Sequence, residues 1–381
     1  MYNKVKSIDI FCDIIDNYGD IGFVYRLAKE ITKQDKSLFI RVFLNNLESF
    51  QVINSKINIL KKIQVIDGIE YINMNHLSSE DYINIIPSEV AIEAFACELP
   101  EDYFINYENN LKLIINLEYF TLEEWTKDFH LHSSFVNLNG VKKYFYMPGL
   151  EKDRGGIIIS SEKEEISKDY FIRLIEKNSD YKFEKNLEKE EFFATIFSYE
   201  FNFENFLISI EKYSKEINKK IYLLIFGEKT KEGFPKLYRN SNVELIFMNY
   251  VEQHIYDKFI SYADFNLVRG EESFVRALVS GKAFLWHAYC QEDKIHLQKV
   301  EGYLKFIEKF FFTKKSFVKY SKIMYTYNSR CENNYNLVNL EFSDFLHETE
   351  DLNKVFSCIK NYTINNGNLI NKLLDFINSQ L

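Results

Sequence analysis

Two carboxylates stand four residues apart in Asp16-Asn-Tyr-Gly-Asp20-Ile-Gly22. Such a pair suits a cationic or proton-donating partner, because an ionised carboxylate only accepts hydrogen bonds. A second group suits the opposite charge. In Arg269-Gly270-Glu271-Glu272-Ser273 an arginine, whose planar fork matches phosphate oxygens, precedes a helical pattern whose first N–H groups favour anions. A third group, Tyr250-Val-Glu-Gln253-His-Ile-Tyr256, offers two aromatic faces and an amide with which to stack on and read a nucleobase. Each group has a plainer reading. Asp20 would cap the following helix, Glu272 or Ser273 would cap the helix after Arg269, and the tyrosines would be core.

Each group sits where a strand pattern ends. The apolar run Ile8–Cys12 precedes the first group and the amphipathic run Ile21–Lys33 follows it, an order that reads as strand, glycine turn, helix. Gly19 and Gly22 would let the backbone approach a ligand. No G-x-G-x-x-G and no Walker lysine is present, so this turn is not built to cradle a nucleotide phosphate. Further strand patterns are Leu38–Leu44, Ile63–Ile66, Val90–Phe95 and Leu113–Asn116, with segments of helix length between several of them. A second alternation runs through Phe193–Phe197, Ile221–Phe226, Val243–Phe247, Asp264–Val268 and Ala283–Trp286. Tyr199 follows the first of these strands and would face the same cleft. His287 follows the last, as a phosphate or sugar contact or as a structural histidine; His296 has no partner that the sequence supplies. Two such alternations predict an α/β chain with two Rossmann-like, doubly wound domains and a ligand cleft between them.

Composition narrows the classes. A 381-residue chain with 46% hydrophobic and 17% aromatic residues has ample material for two cores. A net charge of −9 argues against nucleic-acid binding, and no run of about 18 apolar residues predicts a membrane span. The N-terminal residues lack a signal peptide's apolar segment, which predicts a cytoplasmic protein. The five cysteines, Cys12, Cys97, Cys290, Cys331 and Cys358, form no CxxC pair. They read as buried thiols of a reducing compartment, and no metal site is expected. A nucleophile elbow is also missing.

The motifs form an ordered set. Asp9-Ile-Phe-Cys, Asp16-Asn-Tyr-Gly-Asp20-Ile-Gly with Arg26-Leu-Ala, Ile92-Glu-Ala-Phe-Ala-Cys97-Glu-Leu-Pro100, Asn116-Leu-Glu-Tyr119, Pro148-Gly149 and Arg269-Gly-Glu-Glu-Ser273-Phe-Val-Arg-Ala277 occur in sequence. Together, up to about residue 296, they resemble the EarP family of protein-arginine rhamnosyltransferases. The resemblance implies a GT-B fold, two Rossmann-like domains facing a central cleft. It also implies transfer of L-rhamnose from dTDP-β-L-rhamnose, with inversion, to an arginine of translation elongation factor P, without a cofactor. Asp20 would be the general base, Asp16 the companion carboxylate and Glu271 an orienting acid. Donor binding would fall to Tyr199, Tyr250, Gln253, Tyr256, Arg269, Gly270, Glu272 and Ser273. Glu272 stands where the family has Asp, Tyr250 where it has Phe, and Asn249 and Glu252 replace a proline-rich context.

The expected division is an acceptor-side domain at 1–150, a charged linker or helical region at 151–190, a nucleotide-sugar domain at 191–350 and a C-terminal helix at 351–381 packing back across the domains. Two other functions fit the same residues. One is a GT-B enzyme with another nucleotide sugar or acceptor, and the other is a non-catalytic binding protein of this fold.

Overall fold

The computed structural model describes residues 4–15, 18–160, 166–183, 190–329 and 342–381. The chain divides into two compact units, Met1–Lys163 with Thr363–Leu381, and Glu164–Tyr362. Composition puts boundaries at 150, 190 and 350; contacts keep residues 151–163 with the first unit and split the C-terminal segment after Tyr362. Of the charged stretch, residues 161–165 and 184–189 lie outside the described residues.

In the first unit the strands are β1 (Ser7–Cys12), β2 (Phe39–Leu44), β3 (Ile63–Ile66), β4 (Ile69–Asn73), β5 (Val90–Ala94), β6 (Leu113–Leu117), β7 (Ser133–Ser134) and β8 (Lys142–Tyr146). They form one sheet in the order β3-β4-β2-β1-β5-β6-β8-β7. The inner six are parallel, and β3 and β7 are antiparallel edges. Two-residue periodicity sends Ile8, Ile10 and Cys12 to one face of β1 and Phe11 to the other, and both faces are covered. On the first face helix Gly19–Gln34 lays down Ile21, Val24, Leu27, Ala28 and Ile31. Helix Leu369–Gln380 adds Leu369, Ile370, Leu373, Leu374 and Ile377 to the same core. Each such side chain contributes about 1.5–3 kcal/mol when fully buried.

On the other face Phe11 stacks on Phe43 at 4.1 Å. Beside them Asp9, wholly buried, is neutralised by a bidentate Arg41 whose Nε and Nη2 donate at 2.8 and 2.7 Å. Ser88 adds its N–H and its hydroxyl, and the Tyr103 hydroxyl donates at 2.7 Å. A buried charge so fully bonded is a structural tie.

The second unit contains β9 (Glu191–Phe197), β10 (Lys220–Phe226), β11 (Val243–Phe247), β12 (Phe265–Arg269) and β13 (Ala283–His287). All are parallel, in the order β11-β10-β9-β12-β13. In each sheet the chain builds outward from a central strand and then crosses to its other side. The topological switch points therefore lie between β1 and β5 and between β9 and β12, the places where open α/β sheets hold ligands.

The C-terminal segment is two helices rather than one. Thr349–Asn365 buries Val355, Phe356 and Ile359 in the second unit, with Phe356 against the rings of Phe284 and Tyr320. Gly367, at φ 107, then interrupts it before the last helix joins the first unit's core. Cys12 and Cys97 are buried free thiols, whereas Cys358 is exposed and Cys290 is disulfide-bonded, which departs from the all-thiol reading. Among the described residues no helix is long and apolar enough to cross a membrane.

Candidate functional site

At the first switch point β1 ends at Cys12, and helix Gly19–Gln34 begins with Tyr18 as its N-cap residue. Asp20 is thus in the first helical turn and is not the cap. Its side chain is 1% exposed, yet both carboxylate oxygens are held from outside the helix. Oδ2 accepts from the Ile15 N–H and Oδ1 from the Tyr119 hydroxyl, each at 2.9 Å. Tyr119 follows β6 and stacks on Phe95 at 4.1 Å, with the two planes 10° apart. Phe95 follows β5 and meets Phe23 of the helix edge-on. Phe95 and Ala96 both have left-handed backbone, at φ 60 and 57, an unfavourable conformation for residues with a Cβ that concentrates at working sites. Burial, and secondarily the Asp20 charge, pushes the Cys12 thiol well above its ordinary range, so this sulfur is a protonated wall of the site. Asp16 lies outside the described residues.

The second switch point is built around Arg269. This residue ends β12 and is also the N-cap residue of helix Gly270–Ser280, with extended backbone and no side-chain cap. An arginine cannot accept a hydrogen bond, so the first helical N–H groups receive nothing from it. The expected caps are placed differently. The Ser273 hydroxyl donates back to the Arg269 carbonyl, and Glu272 lies in the first turn with Oε1 3.4 Å from Arg276 Nε. Glu271 Oε1 is 2.7 Å from Lys299 Nζ. The Arg269 guanidinium lies 4.4 Å from the ring centroid of Phe197 and 4.7 Å from that of Tyr199. Ring faces cover its flat side and leave its in-plane N–H forks directed elsewhere. Gly270 has φ 65, and a Cβ there would stand 3.1 Å from the Tyr199 hydroxyl, so the close passage of this turn under Tyr199 requires glycine.

Arg269, Gly270, Tyr199 and Tyr256 are brought together around Phe197, whose ring also meets that of Tyr256 at 5.6 Å. Gln253 opens helix Gln253–Tyr262, and Tyr250 precedes it, 56% exposed. His287 is a buried partner of this cluster. Its Nδ1 lies 2.8 Å from the Ser198 hydroxyl, which is in turn 2.8 Å from the Tyr327 hydroxyl. Burial, then the charges of Arg269 and His296, pull its pKa down to about 3, so the ring is neutral. His296 finds its partner in the Asn328 carbonyl at 3.0 Å.

Three contributors escaped the sequence reading. Tyr119 belongs to a quoted motif, but its reach to Asp20, 99 residues away, needs the sheet order. Phe95 also lies in one of the ordered motifs, but its support of Tyr119 depends on strand order; Phe197 looks like an ordinary strand-end apolar residue. Among the described residues no group of His, Cys, Asp and Glu could hold a metal ion.

These two units, with chemistry gathered at strand carboxyl ends, have the architecture of solved glycosyltransferases. A structure of EarP-mediated arginine glycosylation of translation elongation factor EF-P superposes with a TM-score of 0.60 at 16% identity, covering 98% of this chain and 99% of that one. The glycotransferase of kitacinnamycin gives 0.54 at 11% identity over the full length of both. The fold is that of a GT-B glycosyltransferase.

Residues 8–378 match the family model described as Elongation-Factor P (EF-P) rhamnosyltransferase EarP, and the chain belongs to that family. The match runs well past residue 296, where the recognisable motifs stop. A protein-arginine rhamnosyltransferase of Shewanella oneidensis is 30% identical over 321 residues, 78% of this chain and 80% of the relative. One from Pseudomonas aeruginosa is 27% identical over 79% of this chain and 81% of its own length. The protein is an enzyme of the protein-arginine rhamnosyltransferase kind.

Proposed function

We propose that this enzyme transfers L-rhamnose from dTDP-β-L-rhamnose to an arginine side chain of translation elongation factor P, in the cytoplasm, with inversion at the anomeric carbon. The observation that carries this reading is Asp20, a buried carboxylate oriented by an amide and a tyrosyl hydroxyl at the switch point of its sheet. A guanidinium is protonated at neutral pH and has no free lone pair, so it is a poor nucleophile. Asp20, with Asp16 as companion, binds it through charge-assisted hydrogen bonds and accepts a proton as the N–C bond forms. The bond from the anomeric carbon to the diphosphate oxygen breaks on the opposite face, and dTDP leaves. Arg269 and the uncapped N–H groups of helix Gly270–Ser280 stabilise the charge that grows on it. Tyr250 and Gln253 take the nucleobase, Gly270 lets the backbone approach, and Glu271, Glu272 and Ser273 position the first helical turn. This chemistry needs no cofactor.

The test is to incubate the purified protein with elongation factor P and dTDP-β-L-rhamnose. A deoxyhexose mass increment on an arginine of elongation factor P, in the α configuration by NMR, is the expected result. Transfer from another nucleotide sugar but not from this one overturns the donor assignment, and a β product overturns inversion.

A further inference from the structure

Tyr256 carries a polar atom that the fold leaves unpaired. Its hydroxyl is sealed from solvent and has no hydrogen-bond partner among the described residues. The ring is fixed on two sides, edge-on to Phe197 at 5.6 Å and to Phe226 at 5.1 Å. A rotation that would bring the hydroxyl to water is therefore obstructed by packing. Buried hydroxyls without partners are uncommon, because removal from water is then uncompensated. A phenylalanine would fill the same space without that cost.

The neighbour that gives this hydroxyl a use is Arg269. Both side chains pack on the ring of Phe197, the guanidinium carbon at 4.4 Å from its centroid. Burial raises the Tyr256 pKa far above the ordinary tyrosine value, and the Arg269 charge is near enough to oppose that rise. The hydroxyl is thus a neutral donor beside a permanent cation. An oxygen that satisfies both at once is anionic and presents more than one acceptor position, as a phosphate does.

We infer that the Tyr256 hydroxyl is a specificity-determining donor to the donor-substrate's diphosphate, sharing a phosphate group with Arg269. The sequence groups Tyr256 with the nucleobase readers Tyr250 and Gln253; its position on the ring of Phe197 with Arg269 moves it to the phosphate end. The inference rests on the donor-site reading given above. Because the hydroxyl is sealed, the phosphate reaches it only with a local side-chain shift, and Arg269, held by ring faces, is the charged group an incoming diphosphate draws.

Tyr256→Phe removes one oxygen and keeps the ring. Calorimetry with dTDP, inorganic pyrophosphate and thymidine, on wild type and variant, separates the outcomes. The expected result is a roughly 5–20-fold loss of affinity for dTDP, a parallel loss for pyrophosphate and none for thymidine. The unliganded variant should melt at the same temperature as wild type or higher, which a structural role for the hydroxyl does not give. Equal dTDP affinity in both proteins, or a loss extending to thymidine, overturns the phosphate contact. Failure of wild type to bind dTDP at all overturns the donor-site reading instead.

Discussion

The two strand–turn–helix junctions both border the switch points of their sheets, one on the first strand and one on the strand reached after the crossover, and they carry opposite charges. After β1 the helix start holds a carboxylate, Asp20, in its first turn. After β12 the helix start is itself an arginine, Arg269. The positive end of a helix favours the first arrangement and disfavours the second. Asp20 is fixed by directional hydrogen bonds from Ile15 and Tyr119, as a base must be if it is to take a proton in one geometry. Arg269 rests on ring faces, and the acids of its own first turn lie against Lys299 and Arg276. A cation beside a helix N-terminus is compensated by an anion, which on the function proposed above is the donor's diphosphate. On the function proposed above, one junction reacts and the other binds.

That division can be broken by mutation. The largest effect is expected from Asp20→Asn, which should lower kcat by about 10²–10⁴-fold while leaving dTDP affinity unchanged by calorimetry. An equal loss of dTDP affinity would erase the distinction between the junctions. Arg269→Ala should do the reverse, weakening dTDP about 10–100-fold, the range for hydrogen bonds to a charged group. Tyr119→Phe removes the tyrosyl hydrogen bond that aims Asp20. It should cost roughly 10-fold in kcat with the KM for donor unchanged, and a change in donor KM alone would refute its role as aligner.

The smallest effect is on stability. His287, with a pKa near 3 in the folded chain against about 6.5 unfolded, binds its proton only on unfolding, so its contribution is lost as pH falls below 6.5. At pH 6 this amounts to about fourfold in the folding equilibrium. His130 of the first unit, drawn to about 4 chiefly by burial, acts with the same sign. His287→Gln should flatten the fall in denaturant midpoint between pH 6.5 and 4; an unchanged slope would assign the acid sensitivity elsewhere.

Much of this was readable from the chain, and for physical reasons. Strands such as Ile63–Ile66 and Val243–Phe247 are short apolar runs bounded by turn residues, and they appear where the pattern puts them. β4 and β8 were missed because Glu70 interrupts the apolar run of one and two lysines open the other. Arg269 and Asp20 were legible because charge at a strand–helix junction is unusual enough to notice. Their supports were not, since Tyr119, Phe95 and Phe197 gain meaning only from strand order. The caps expected of Glu272 and Ser273 failed for a local reason: the helix already begins at Gly270, with Arg269 as its N-cap residue, so both lie inside it and Ser273 turns back to the Arg269 carbonyl.

The last helix has a consequence for how the molecule is made. Leu369, Leu373 and Ile377 complete a core whose other members lie mostly before residue 160. During synthesis at about 5–20 residues per second, roughly 10–40 s separate emergence of the first unit's sheet from emergence of the segment that covers it. Throughout that interval one face of a parallel sheet has an uncovered apolar stripe. The second unit, continuous in sequence, is free of that delay and can fold first although it is translated later. The order of maturation can then be the inverse of the order of translation, and the core beneath the Asp20 turn closes only after residues 369–377 have emerged.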